Sequence, residues 1–113
     1  MALTIQQLFA PLQLAAAAAV IYTMPVSPIT STLKNARMRL TNTTAAAVAA
    51  TLYAAPAATA SGAANCFMSA ASIPANSSVE VDIPTLTAGD TLRGFAGSAA
   101  SITAHEMGGV IYS

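Results

Sequence analysis

The sequence predicts an all-β fold, an antiparallel β-sandwich or jelly roll of about seven or eight short strands with an N-terminal arm. Three observations lead to it. Short β-prone runs recur along the chain with no convincing long helix between them. Turn residues punctuate the runs at regular intervals: Pro25, Asn42-Thr43-Thr44, Pro56, Gly62, Pro74-Ala75-Asn76-Ser77, Ala88-Gly89-Asp90 and Gly108-Gly109. Where charges occur they alternate with apolar residues, as in "VEVDI" from Val79 to Ile83, which is the period of a strand with one buried face. The 113 residues make one domain, placed at residues 18–113 behind an apolar arm over residues 1–17.

Taken in order, Met1 to Leu14 carries Leu3, Ile5, Phe9, Leu12 and Leu14, and Pro11 breaks any helix there. The segment either folds back on its own domain or docks on a neighbouring subunit, since chain ends need something to tie them down. Val20 to Thr23 is β-prone and stops at Met24-Pro25. "ITSTLKNARMRLTN" alternates, with Thr30, Thr32, Lys34, Ala36, Met38 and Leu40 on one face and Ser31, Leu33, Asn35, Arg37, Arg39 and Thr41 on the other. Arg37 and Arg39 side by side indicate a solvated or interface-facing surface. "AAAVAATLYAAP" would suit a helix by alanine propensity, but Thr51, Leu52 and Tyr53 favour a strand that Pro56 ends. A small-residue loop around Gly62 precedes the strand "CFMSAASI". After Val79 to Ile83 and the Gly89 turn, where glycine supplies positive φ, Thr91 to Phe95 forms a strand. Ser101 to Ala104 and Val110 to Tyr112 make one or two closing strands.

Composition narrows the function. Only 7% of residues are charged and the two signs balance, against about a quarter in ordinary soluble domains. No basic field exists to hold phosphates or anionic lipid, so neither nucleic acid nor membrane is an expected partner. Near-zero net charge favours association, which fits a subunit that works assembled. Leu12 to Val26 is interrupted by Gln13 and Pro25 and is too short to span a bilayer. With no Lys or Arg in residues 1–19, it also lacks the basic start of an export signal. Cys66 is the sole cysteine and is expected as a small buried hydrophobe on a strand.

The residues capable of chemistry do not converge. His105 is the sole histidine, and its neighbour Glu106 points to the opposite face of a strand. Glu80 and Asp82 lie about 7 Å apart on one face, the kind of pair glycosidases use, yet no aromatic platform accompanies them. A calcium site from Asp82 and Asp90 would need more clustered oxygens. Asn42-Thr43-Thr44 and Asn76-Ser77-Ser78 match the glycosylation acceptor pattern but read more simply as turns. The aromatic residues Phe9, Tyr22, Tyr53, Phe67, Phe95 and Tyr112 are scattered. No catalytic, cofactor or metal site is expected, and no enzyme activity.

"VIYTMP" followed by "STLKNARMRLTNTTAAAVAATLYAAP", and then "SIPANSSVEVDIPTLTAGDTLRGFAGSAASITAHEMGGVIY", resembles small β-sandwich virion proteins of tailed bacteriophages over about residues 20–112. The resemblance implies a head decoration or cement protein, or a minor tail protein. Its partners would be the phage major capsid protein and copies of itself, a homotrimer ahead of a dimer. It would reside in the virion after synthesis in the host bacterial cytoplasm. The alternative is a tail, fibre or baseplate module, with host-glycan binding as one use. The expected assembly interface is Leu3, Ile5, Phe9, Leu12 and Leu14 of the arm together with Arg37 and Arg39. Gly108-Gly109 departs from the uninterrupted last strand of that pattern and leaves its pairing open.

Overall fold

The computed structural model describes residues 3–5, 9–25, 32–57, 59–98 and 101–112. They form ten strands and one short 3-10 turn: β1 (Leu3–Ile5), β2 (Leu12–Gln13), β3 (Ala19–Thr23), β4 (Thr32–Asn42), β5 (Val48–Ala55), the turn at Ala63–Asn65, β6 (Cys66–Ile73), β7 (Ser78–Ile83), β8 (Leu86–Thr87), β9 (Thr91–Ala96) and β10 (Ile102–Tyr112). The first sheet runs β1-β10-β4-β7, with β2 also beside β10 and β8 beside β4; the second runs β3-β9-β5-β6. Every pairing is antiparallel. The pairs nest: β5 with β6, outside them β4 with β7, then β3 with β9, then β1 and β2 with β10. A long hairpin rolled up on itself gives this order, so the sandwich is a jelly roll.

Between the sheets lies one core. Met38, Leu40, Ile83, Ile102 and Ala104 of the first sheet meet Ala50, Leu52, Ile73, Leu92 and Ala96 of the second. Within the second sheet Gly94 of β9 lies close against β5: a Cβ there would come 2.7 Å from Leu52 Cδ2 and 2.9 Å from the Thr51 carbonyl. The alanine-rich run is a strand, as expected, over Val48–Ala55. Ladders with β6 and β9 on its two sides override alanine's helical preference. In β7, Val79, Val81 and Ile83 turn inward and Ser78, Glu80 and Asp82 outward, and Gly89 holds φ 83 in the turn before β9.

One expectation fails in β4. Strict alternation sets Leu33 on the face opposite Met38, yet both are buried. Asn35 sits at φ 55 and is exposed together with Lys34, so a bulge shifts the phase of the strand. The interruption continues across the sheet. The β10–β4 register slips on either side of Gly108, which has φ 137, and Pro84-Thr85 separates β7 from β8. A Cβ on Gly109 would come within 3.0 Å of the Ala36 Cβ, so the glycine pair lets one strand of 11 residues pass through the bulge. The closing segment is therefore a single strand.

The described residues before 18 are tied to the body. Leu3–Ile5 pair with Val110–Tyr112, and Leu12 and Gln13 with Ala104 and Thr103. The Leu14 amide donates to the Ile102 carbonyl at 2.8 Å, and the Ala15 carbonyl accepts from the Ala96 amide at 2.9 Å, so the chain crosses from one sheet to the other. Phe9 and Leu14 are in the core and Leu12 packs against it. Of the two readings of this segment, the structure shows it folded back on its own domain. Phe9 and Leu14, expected at an assembly interface, are enclosed by their own chain. The reason is volume: a core so rich in alanine needs large side chains to fill the end between the sheets.

Candidate functional site

The polar side chains singled out in the sequence gather mainly on the outer face of the first sheet. The β4–β7 register sets Arg37 opposite Asp82 and Arg39 opposite Glu80. Arg37 Nε donates to Asp82 Oδ1 at 3.0 Å and its Nη1 reaches Glu80 Oε2 at 3.4 Å; Arg39 Nη2 donates to Glu80 Oε1 at 2.7 Å. All four side chains are exposed, from 41% at Arg39 to 82% at Asp82. The carboxylate pair that resembled glycosidase chemistry is thus bound by guanidinium groups across the strand. His105 lies next to Arg39 in the β10–β4 register and extends the row onto a third strand. Glu106 instead accepts from the Gly108 amide at 2.8 Å and braces the bulge.

Arg39, by donating to Glu80, holds that carboxyl below the usual carboxylate range, and the charge of Arg37 adds to the effect. Asp82 in turn raises the Arg37 guanidinium above its ordinary value. A carboxyl with a depressed folded-state pKa contributes stability that is complete above its unfolded value and disappears as pH falls through the folded one. Wild-type melting temperature is therefore expected to fall on acidification through the carboxylate range. Arg39→Gln should start lower at neutral pH and lose less in acid, and parallel acid limbs for the two proteins would contradict this. Because the pair is exposed, the effect is small and shrinks with salt.

Other candidates serve local structure. Asp90 accepts from the Thr87 amide and hydroxyl at 2.9 and 3.0 Å and from the Ala57 amide at 3.1 Å. It ties the β8–β9 turn to the loop after β5, while Asp82 belongs to the arginine row. Among the described residues, no three His, Cys, Asp or Glu side chains converge. Asn42 is fully buried, so its amide is inaccessible to a glycosyl group. The side chains of Leu3 and Ile5 lie outside what the structure describes. Cys66 is half-buried rather than enclosed.

Two concave features were not foreseen. At the aligned bulges a groove of about 580 Å³ crosses the first sheet beside Asn35, Arg37, Asp82, Pro84, Thr85 and Met107. On the second sheet a hollow of about 420 Å³ opens beside Tyr53, Cys66, Ser69 and Phe95. The clues to the groove, Asn35, Pro84 and Gly108-Gly109, are in the sequence but lie far apart in it. The strand order brings them to one level.

No protein-family model matches the chain, and no curated protein sequence matches it. Among solved structures, a chain from Bacillus endospore appendages, a novel family of disulfide-linked pili, superposes with a TM-score of 0.54 at 19% identity. The match covers 96% of this chain and 85% of that one. A chain from infectious bursal disease virus, Gx strain, gives a TM-score of 0.48 at 14% identity, over 97% of this chain and 32% of its own length. At such identities the likeness is one of fold: this chain shares its sandwich, nearly end to end, with a chain from a pilus.

Proposed function

We propose that the chain is a non-enzymatic structural subunit of an assembled particle, a decoration or cement protein on the head of a tailed phage. It would bridge copies of the major capsid protein and associate with itself, as a trimer ahead of a dimer. One observation carries the reading. The clustered charged side chains and the buried amide are occupied in holding strands and turns, as in the Arg37–Asp82 and Arg39–Glu80 pairs, the Asn42 network and the Asp90 turn. A fold shared with a pilus chain supports a role in assembly. Since Phe9 and Leu14 fill the chain's own core, contacts with partners fall to the outer faces, where Val20 on β3 and Met107 on β10 are exposed by 51% and 46%.

Shells prepared with and without the protein test this. Those carrying it are expected to withstand more heat and more chelator before they open, and equal resistance would exclude a cementing role. The likeness to a filament-forming chain also favours a second reading, a module of the tail, fibre or baseplate. Electron microscopy of virions labelled on this protein distinguishes head from tail directly.

A further inference from the structure

We infer that the hollow on the outer face of the second sheet is a binding site for a neutral saccharide ring, with Tyr53 and Phe95 as its platform. The inference goes beyond the structural role proposed above and does not depend on it. Forty-odd residues of sequence separate the two aromatic side chains, but β5 and β9 are neighbours, and the register sets Thr51 opposite Phe95 and Tyr53 opposite Arg93. The Tyr53 and Phe95 rings come to 6.3 Å between centroids with their planes within 25°. Beyond them β6 bulges away. Ala70 adopts φ 47, a conformation alanine rarely takes, and the β5–β6 register slips on both sides of Leu52. The bulge opens the hollow of about 420 Å³, lined by Thr51, Tyr53, Ala63, Cys66, Ser69 and Phe95.

The lining selects the ligand. The six lining residues carry no formal charge, and the neighbouring cation, Arg93 opposite Tyr53 on β9, has its Nε turned to the Thr91 hydroxyl at 2.9 Å, so the interior of the hollow favours a neutral ligand. Its polar groups are the hydroxyls of Thr51, Tyr53 and Ser69 and the Cys66 thiol. The Thr51 hydroxyl is fixed at the floor by accepting from the Ala70 amide at 3.1 Å, which leaves its own hydrogen to donate. A pyranose offers a C–H face to lay on aromatic rings and a rim of hydroxyls to exchange hydrogen bonds with such groups. The volume falls within the range of small-molecule sites, about 300–1,000 Å³. An apolar side chain from a partner protein would fill the same space but strand those hydroxyls without partners. The outer face of the first sheet differs, since the carboxylates of Glu80 and Asp82 there are held in ion pairs with Arg37 and Arg39.

Cys66 makes the test specific, because it is the sole cysteine and lines the hollow. The probes are the methyl glycosides of glucose, galactose, mannose and N-acetylglucosamine, added singly while a thiol reagent modifies the intact protein. At least one is expected to slow Cys66 modification saturably, with calorimetric titration of the same glycosides giving the affinity independently. Tyr53→Ala should weaken binding about tenfold, whereas Tyr53→Phe, which keeps the ring, should retain most of it. Circular dichroism melts confirm that the variants remain folded, and Phe95→Leu serves if Tyr53→Ala does not fold. No protection and no heat from any glycoside would overturn the inference. So would protection that survives Tyr53→Ala and Phe95→Leu unchanged, which would place the sugar elsewhere. If docking on the particle shields Cys66 and no glycoside does, the hollow takes a protein side chain and the inference falls.

Discussion

Asn42→Ala is expected to lower the stability of the isolated protein by about 3–5 kcal/mol. Asn42 ends β4 and is fully buried. Its Nδ2 donates to the carbonyls of Ala46 at 2.8 Å and Ile73 at 2.9 Å. Its Oδ1 accepts from the Thr44 amide at 2.9 Å and the Thr44 hydroxyl at 2.7 Å. The side chain thus fills its hydrogen-bonding capacity and joins the β4–β5 connection to the end of β6. Truncation removes these bonds together: the Ile73 carbonyl, in the fully buried bond, is stranded at about 1–3 kcal/mol, and the part-buried bonds to Ala46 and Thr44 contribute about 0.5–1.5 kcal/mol each. Asn42→Asp is nearly the same size but turns an oxygen toward two carbonyls and buries a charge. Its loss should therefore be comparable at neutral pH. Burial raises the pKa of such a carboxyl, so the aspartate variant should regain stability as pH falls and the protonated acid recovers a donor. Chemical denaturation at neutral and acid pH measures both effects. An Asn42→Ala midpoint equal to wild type would show that the network adds nothing.

The parts of the fold that were legible in the sequence depend on short-range pattern. Val79, Val81 and Ile83 alternate without interruption, and the strand they predict has that inward face. Gly89 stands in a turn that needs positive φ, and it has it. Pattern misleads where a backbone irregularity changes the phase: one residue at φ 55, Asn35, carries Leu33 to the core face against its apparent parity. The ion-pair row had a sequence signal of its own. Arg37 and Arg39 share a spacing of two with Glu80 and Asp82 and have the opposite sign, which is the complement an antiparallel neighbour would need. Nothing local, however, says that those strands are adjacent. The Tyr53–Phe95 platform was invisible for the same reason, since only the β5–β9 ladder joins its halves. The N-terminal segment was ambiguous because large apolar side chains look alike in sequence, whether they fill their own core or a partner's groove.

Removing residues 1–14 is expected to leave a chain that does not hold its fold at ordinary temperature. Phe9 and Leu14 are buried in the core, and each such side chain contributes about 1.5–3 kcal/mol by transfer from water. Their loss also leaves a cavity at the end of the sandwich, which adds to the penalty. Together these terms reach the total stability of many domains, about 5–15 kcal/mol. The truncation strips β1 and β2 from β10 as well, exposing backbone at Thr103-Ala104 and Val110–Tyr112 that would pair with other chains. Light scattering should therefore show aggregation, and circular dichroism should show loss of the cooperative melt. Removing residues 1–8 separates the contributions: β1 goes while Phe9, β2 and Leu14 stay. That protein should melt cooperatively, at a lower temperature than the full chain, with some gain in self-association at the bared end of β10. A protein lacking residues 1–14 that melts like the full chain would show that Phe9 and Leu14 do not stabilise the sandwich. If that protein stayed folded but lost occupancy on particles, the segment would act outward, on a neighbour, after all.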